Sequence, residues 1–318
     1  MADFHDSIRE AILVAHSHGI DDQDEKLGTR LWASVGLNVL ITCAEFVGGF
    51  VSGSVALLAD AVHNLSDVFA LVLAAFARTL GMRPPSLRHT YGLKRFEVLS
   101  ALVNAVVLLV ITTLLMRESI TRLLHPTPTR ASITLIIATF ALVGNLGSVL
   151  LLRRHDEHDL NVRSAFLHLV QDALSSLVVV IAAAFAHTRI GPYLDPAAAV
   201  LVGVAVVMSV FSILRETLHT LLEGTPHDID VEDLVHGVEE QFRPVRLHHV
   251  HVWQIGPGQR DLTAHFDAGN LEFAAIELLG GEIRHFLLDR WAIQHVTLQP
   301  EVRGCGHTEV LGHWGAHP

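Results

Sequence analysis

Six long apolar stretches, each about as long as a membrane is thick, constrain this chain more than any other feature. A helix that crosses the hydrocarbon core of a bilayer needs roughly 20 mostly apolar residues. Six stretches meet that length once isolated polar residues are allowed, at 31–52, 55–79, 96–120, 131–152, 162–187 and 195–218. With 50% hydrophobic and only 17% charged residues, the composition is too apolar for a water-soluble protein of 318 residues. The sequence therefore predicts an integral membrane protein with an all-α transmembrane domain of six helices.

Basic residues in the connectors predict how these helices are oriented, because loops rich in lysine and arginine stay in the cytoplasm. The connectors at 80–95 and 153–163 are more basic than those on the other side. Since six spans bring the chain back to the side on which it began, both termini are predicted to be cytoplasmic.

The chain changes character after about residue 222, where charged residues become frequent and no stretch is long enough to span a membrane. Asp230 followed by Asp233 is typical of a helix N-cap with an acidic first turn, and this helix is predicted to run to about Phe242. Alternating patterns then predict strands at 247–255, 261–268 and 293–300, with a helix at 271–289. The order α-β-β-α-β predicts a small α+β domain of two layers.

Four segments follow from these boundaries. They are an N-terminal tail at 1–28, a transmembrane domain at 29–222, a soluble domain at 223–302 and a C-terminal tail at 303–318.

Two of the apolar stretches contain the same pair of metal-binding residue types, His-x-x-x-Asp. The pairs are His63 with Asp67 in LLADAVHNLSDVFALVL, and His168 with Asp172 in RSAFLHLVQDALSSLVVV. A spacing of four residues places each pair on one helix face, about one turn apart. Two such faces turned toward each other supply two imidazole nitrogens and two carboxylate oxygens, a complete tetrahedral set for Zn²⁺. The repeat therefore predicts a metal site within the membrane.

Isolated polar residues in apolar helices are commonly interior hydrogen-bonding groups, and Asn38, Glu45, Asn104 and Asn145 are interpreted in this way. The two motif aspartates are different. An aspartate at mid-membrane depth costs about 2.5–3.5 kcal/mol on insertion scales and needs a cation or a partner. No lysine or arginine lies within either motif to neutralise it. The nearby Asp60 either belongs to the ion pathway or orients a ligand.

The residues around these pairs resemble the cation diffusion facilitator family of metal transporters. The matching stretches cover most of the chain, and they are GSVALLADAVHNLSDV (53–68), HTYGLKRFEVLSALVNA (89–105), AFLHLVQDALSS (165–176), HHVHVW (248–253) and HVTLQPE (295–301). The resemblance implies six transmembrane helices, a cytoplasmic domain of copper-chaperone-like topology, and homodimerisation. It also implies a place in the cell (inner) membrane of a bacterium.

The same resemblance implies a function and its residues. It implies export of a divalent transition metal in exchange for protons, through a transport site formed by His63, Asp67, His168 and Asp172. A site with this ligand set favours Zn²⁺, with Cd²⁺, Co²⁺ and Fe²⁺ as further candidate cargoes.

A second metal site is implied in the cytoplasmic domain, where His248, His265 and Glu301 match the family's usual ligands and zinc is the expected ion. His249, His251, His295 and Cys305 are neighbours of these positions in the sequence, and the two strand histidines, His249 and His251, are either further ligands or surface or interface residues. Strand alternation predicts that His249 and His251 lie on the opposite face from His248.

Several other functions are excluded or kept as alternatives. A net charge of −11 argues against nucleic acid as a partner, because phosphate binding needs basic patches. The sequence has no G-x-x-x-x-G-K-[ST] loop, so uphill export would need a secondary gradient rather than ATP. An intramembrane zinc enzyme is one alternative, although catalytic zinc usually keeps three protein ligands and an open water position. A membrane metal sensor is the other, and ion flux in vesicles distinguishes all three.

Overall fold

A computed structural model of the chain describes residues 22–152, 160–302 and 310–311, with side chains described at 36–150, 166–302 and 310–311. Residues 1–21 of the predicted N-terminal tail, most of the C-terminal tail at 303–318 with Cys305, and much of the basic connector at 153–163 lie outside the described residues. Residues 22–28, predicted as tail, belong to the first helix. The chain divides into two compact units. The first unit comprises the chain up to Thr79 together with Ser100–Leu214. The second unit comprises Leu80–Leu99 and the chain from Arg215 onward.

Six long helices account for the apolar part of the chain. They are α1 (Asp22–Ser52), α2 (Val55–Gly81), α3 (Phe96–Leu124), α4 (Ala131–Leu152), α5 (Leu160–Ala184) and α6 (Gly191–Leu221). Helices α2 to α6 each contain a stretch long and apolar enough to cross a membrane, and α1 adds a shorter apolar stretch at Gly36–Ser52. The predicted helical transmembrane domain is confirmed.

Small residues allow helices α1 and α4 to approach closely. A Cβ atom on Gly48 would meet the Ile137 side chain at 2.1 Å, and one on Gly144 would meet the Ile41 side chain at 2.6 Å. Contacts of this kind drive helix association in a bilayer, where burial of apolar surface supplies no net force. Large apolar side chains such as Phe211 remain exposed on the outside of the helices, as a lipid-facing surface requires.

Helix α2 is anchored at its N-terminus by a residue from α6. The Asp195 carboxylate accepts hydrogen bonds from the Ser54 hydroxyl and, at 2.9 Å, from the Val55 backbone N–H. The first N–H groups of a helix have no partner within the helix, and a carboxylate there also complements the helix dipole. Asp195 thus fixes where α2 begins, and with it the position of the first His-x-x-x-Asp pair.

The second unit contains the predicted α-β-β-α-β order, which is confirmed. Its elements are α7 (Val231–Gln241), β1 (Leu247–Gly256), β2 (Gln259–Asp267), α8 (Phe273–Trp291) and β3 (Ile293–Glu301). The sheet order is β1-β2-β3, with β1 and β2 antiparallel and β2 and β3 parallel, so α8 forms the crossover that parallel strands need. Asp230 caps α7 as predicted, since its side chain accepts from the N–H groups of Glu232 and Asp233.

One face of this sheet carries the hydrophobic core. Leu262 and Phe266 of β2 are buried together with Leu234 of α7 and Leu287 of α8. The second helix begins at Phe273 rather than 271, after a turn in which Gly269 has a φ of +55°. Because both helices pack on the core face, the other face of the strands is left for polar side chains.

Candidate metal centre

Helices α2 and α5 bring the two predicted His-x-x-x-Asp pairs together. The Asp67 Oδ2 atom lies 3.9 Å from His63 Nε2 and 3.4 Å from His168 Nε2. Asp172 lies 3.6 Å from His63 Nε2 through Oδ1, and 3.7 Å from His168 Nε2 through Oδ2. Each carboxylate therefore faces both imidazoles. The ligand atoms of His63, Asp67 and Asp172 lie within 4.8 Å of one another, and His168, on α5, adjoins the two carboxylates.

The separations between these atoms suit a bound cation better than hydrogen bonds. Ligand atoms at the usual distances from tetrahedral zinc stand about 3.3–3.6 Å apart, whereas N–H···O hydrogen bonds are about 2.7–3.2 Å long. His63 Nδ1 and Nε2, Asp67 Oδ2 and both carboxylate oxygens of Asp172 have no hydrogen-bond partner among the described residues. Lone pairs that converge without donors can be satisfied together by one divalent ion.

The four side chains differ in their access to the surface of the helical unit. The side chain of Asp172 is fully buried and that of His63 is 7% exposed, whereas Asp67 and His168 are 28% and 41% exposed. The site thus has a closed half and an open half.

Asp60 lies one turn before His63 on α2 but does not join the four convergent side chains. Its two carboxylate oxygens accept hydrogen bonds from Ser175 at 2.5 Å and from Ser176 at 3.0 Å, both on α5. Of the two roles predicted for Asp60, this geometry supports the orienting one. The two serines follow Asp172 by three and four residues, and that helical spacing was the signal in the sequence that could have identified them.

Further side-chain hydrogen bonds tie α2 to its other neighbours. Asn64 donates to the Glu45 carboxylate of α1 at 2.8 Å, and Asn104 of α3 donates to Ser66 at 3.1 Å. Buried polar networks of this kind specify one packing arrangement when their members are paired. Helix α2, which carries half of the site, is therefore fixed laterally on several sides.

The second predicted site is also assembled, on the open face of the sheet. His248 of β1 lies directly opposite His265 of β2, and Glu301 ends β3 beside them. The Glu301 carboxylate lies 3.3 Å from His248 Nε2 and 2.8 Å from His265 Nδ1. The ligand atoms of the three residues lie within 4.8 Å of one another, as a metal site requires.

The charge state of Glu301 suits a ligand. Burial acts to raise the pKa of its carboxyl, but hydrogen bonding to His248 and the positive charge of the neighbouring imidazoles hold the pKa below its usual value. The carboxylate is therefore ionised at neutral pH, the form that binds metal.

The predicted alternation along β1 is wrong at the histidines. His248 pairs with His265 and His251 pairs with Thr263, so two residues of β1 stand opposite one residue of β2. This β-bulge shifts the alternation by one residue, which returns His251 to the face of His248. It also turns His249 so that its ring stacks on His265 with centroids 4.9 Å apart. Residues 247–255 contain no glycine or proline that would have indicated the bulge.

His295 lies apart from the three candidate ligands. Its Nδ1 atom is 3.2 Å from the Asp261 carboxylate, whose pKa is raised by burial. The ring is largely exposed, and its partner is the aspartate rather than the triad.

Comparisons with known proteins identify a family model and several relatives that match this chain. A model of the cation efflux transmembrane domain matches residues 31–222. The zinc transporter ZitB of Escherichia coli (strain K12) is 36% identical over 297 residues, which are 92% of this chain and 94% of that protein. The cadmium, cobalt and zinc/H(+)-K(+) antiporter of Bacillus velezensis is 34% identical over 270 residues, 84% of this chain and 86% of that protein. The metal cation efflux system protein CzcD of Cupriavidus metallidurans is 31% identical over 303 residues, 95% of each chain.

Proposed function

Because the chain belongs to the cation efflux family, we propose that it exports zinc ions from the cytoplasm through the four-ligand site between α2 and α5. At the coarser level, family membership makes the chain an integral membrane transporter of divalent metal cations and not an enzyme. The finer proposal adds the ion, the ligands, the direction of transport and the exchange for protons.

The observation that carries the proposal is the convergence of two imidazoles and two carboxylates at 3.4–3.9 Å with no hydrogen-bond donor to the Asp172 oxygens among the described residues. Two nitrogen and two oxygen ligands suit zinc, which accepts both and has no strong geometric demand. Hard cations such as Mg²⁺ prefer oxygen ligands and an octahedral shell. The names of the relatives, which include a zinc transporter and a cadmium, cobalt and zinc antiporter, support the same class of cargo.

Of the two predicted alternatives, the enzyme fits the site less well. An intramembrane zinc enzyme needs an open coordination position for water, whereas the proposed site offers zinc four protein ligands. A membrane metal sensor would use the same ligands without moving the ion. Zinc flux into proteoliposomes that contain the purified protein distinguishes a transporter from a sensor, because a sensor gives no flux.

Selectivity should depend on the nitrogen ligands of the transport site. We expect His63→Asp to lower zinc flux and to change the ratio of Cd²⁺ to Zn²⁺ flux, because a third carboxylate replaces a borderline nitrogen with a hard oxygen and loosens the preference for Zn²⁺. The measurement is flux of each metal into proteoliposomes, with Glu118→Gln on α3 as a control that changes a carboxylate away from the site. An unchanged flux ratio in His63→Asp would count against His63 as a ligand.

We further propose that His248, His265 and Glu301 bind zinc in the cytoplasm and that the second unit holds two chains together. Helix α8 exposes Phe273 to 81% and Leu278 to 72%, an apolar surface unusual for a soluble unit. The predicted orientation places this unit and both termini in the cytoplasm, at the inner membrane of a bacterium.

Dimerisation can be tested with the soluble unit alone. Residues 223–302, expressed separately, are expected to sediment as a dimer whose association strengthens when zinc is added. Metal binding to the folded form stabilises it by mass action, so zinc and dimerisation should reinforce each other if the site orders the interface. Sedimentation as a monomer at every zinc concentration would refute the proposal.

A further inference from the structure

The β-bulge in β1 places a third histidine beside the cytoplasmic triad. His249 is the extra residue of the bulge, and its φ of +51° lies in the left-handed region that non-glycine residues rarely adopt. Such a conformation is strained for a residue with a side chain and persists where the surrounding structure holds it in place. A regular strand would instead have directed His249 toward the face that carries the core.

The three imidazoles of this cluster form a nearly regular triangle. The ring centroids are 5.6 Å apart for His248 and His249, 4.9 Å for His249 and His265, and 5.5 Å for His248 and His265. Three imidazoles bound to one tetrahedral zinc ion, with Zn–N bonds of the usual length, have their centroids about 5 Å apart. The ring centroids are therefore spaced as in a three-histidine zinc site, while the ligand atoms that lie within 4.8 Å of one another are those of His248, His265 and Glu301.

Glu301 supplies the remaining ligand at the side of this triangle. Its two carboxylate oxygens face His248 and His265 at 3.3 and 2.8 Å. The nitrogens of His248 and His265 and the carboxylate converge as they stand. The His249 ring lies at 19° to the His265 ring, so it must rotate about its Cβ–Cγ bond to direct a nitrogen at the same ion.

We propose that His249 is the fourth protein ligand of the cytoplasmic zinc site, completing a three-histidine, one-glutamate tetrahedron. The inference rests on the cytoplasmic site proposed above and extends it by one residue. Four protein ligands leave no position for water, which makes the site a closed binding site of the structural type. Three nitrogen ligands also discriminate against Mg²⁺ and Ca²⁺, whose preferred ligands are oxygens.

The test uses the full-length protein in detergent, with the transport site removed by Asp67→Asn and Asp172→Asn so that only cytoplasmic binding is measured. In this background we compare His249→Gly with His248→Ala and His251→Ala. Glycine at 249 removes the imidazole but readily adopts the positive φ of the bulge, so the strand should keep its shape. His251 is the matched control, an exposed histidine on the same strand and face.

Two measurements decide the outcome. Zinc affinity is measured by competition with a chelating dye, and Co²⁺ is bound in place of zinc so that its visible spectrum reports the ligand set and geometry. We expect His249→Gly to weaken zinc binding about tenfold or more and to shift the visible bands of Co²⁺, because a water oxygen replaces an imidazole nitrogen. His251→Ala should leave both unchanged.

Each contrary result has a distinct meaning. If His249→Gly weakens zinc binding but leaves the Co²⁺ spectrum unchanged, His249 only packs against His265 and the proposal is wrong. The proposal is also wrong if His249→Gly has the same zinc affinity and Co²⁺ spectrum as His251→Ala while His248→Ala no longer binds zinc. If His248→Ala binds zinc normally as well, the underlying cytoplasmic site is refuted, and the four-ligand proposal is refuted with it.

Discussion

Asp172→Asn is expected to abolish zinc transport, with a loss on the order of 100-fold or more, while the protein stays folded. The Asp172 carboxylate is completely buried, and neither of its oxygens accepts a hydrogen bond from a described residue. A buried carboxylate without donors destabilises the metal-free protein, because its desolvation is uncompensated. Asparagine has nearly the same shape without the charge. The substitution should therefore remove a zinc ligand and leave thermal stability in the absence of metal unchanged or raised.

Two measurements on the same preparation separate a lost ligand from a misfolded protein. The first is zinc flux in proteoliposomes, and the second is the melting temperature with and without zinc. Wild-type protein should be stabilised by zinc through mass action, and Asp172→Asn should lose most of that effect. Glu118→Gln is the control, because Glu118 is half exposed and contacts Arg122 on the same helix, where an ion pair contributes little. Near-normal flux in Asp172→Asn would disprove the four-ligand site.

Zinc transport is expected to move protons in the opposite direction. Zinc binds neutral imidazoles and ionised carboxylates, so protons compete with the ion for the side chains of His63, Asp67, His168 and Asp172. Where binding displaces one proton, the apparent affinity for zinc falls about tenfold for each unit that the pH drops. Near-neutral cytoplasm favours the zinc-loaded site, and an acidic exterior favours release. An imposed pH gradient, acidic on the side that receives zinc, should therefore accelerate flux several-fold.

The experiment uses proteoliposomes loaded with a pH-sensitive dye. When external zinc enters through the protein, the lumen should become more alkaline as protons leave. Vesicles containing Asp172→Asn should show neither zinc entry nor the pH change, which controls for leakage through the lipid. Zinc entry without proton movement, or flux that ignores an imposed pH gradient, would identify a uniporter or a channel and would rule out exchange.

The sequence predicted those parts of the structure that depend on local spacing. The four-residue interval in each His-x-x-x-Asp pair follows from helix geometry, so His63 and Asp67 could be placed on one face before the fold was known. The Asp230 cap was equally local, because the carboxylate bonds the N–H groups two and three residues ahead.

What the sequence did not predict depends on tertiary pairing. The spacing of Ser175 and Ser176 from Asp172 places them near the site, but only the packing of α2 against α5 shows that they donate to Asp60. The role of Asp195, which caps the N-terminus of a different helix, was likewise not predicted. The bulge at His249 arises from the pairing of β1 with β2, so the alternation of residues along β1 alone cannot predict it.

The hydrogen bonds from Ser175 and Ser176 to Asp60 have a mechanical consequence. They join α2 to α5 within about one turn of the four candidate ligands. Separating these two helices to release an ion would therefore also break both hydrogen bonds. In the proposed transporter we expect α2 and α5 to move together, and protons that bind to the ligands to displace the ion.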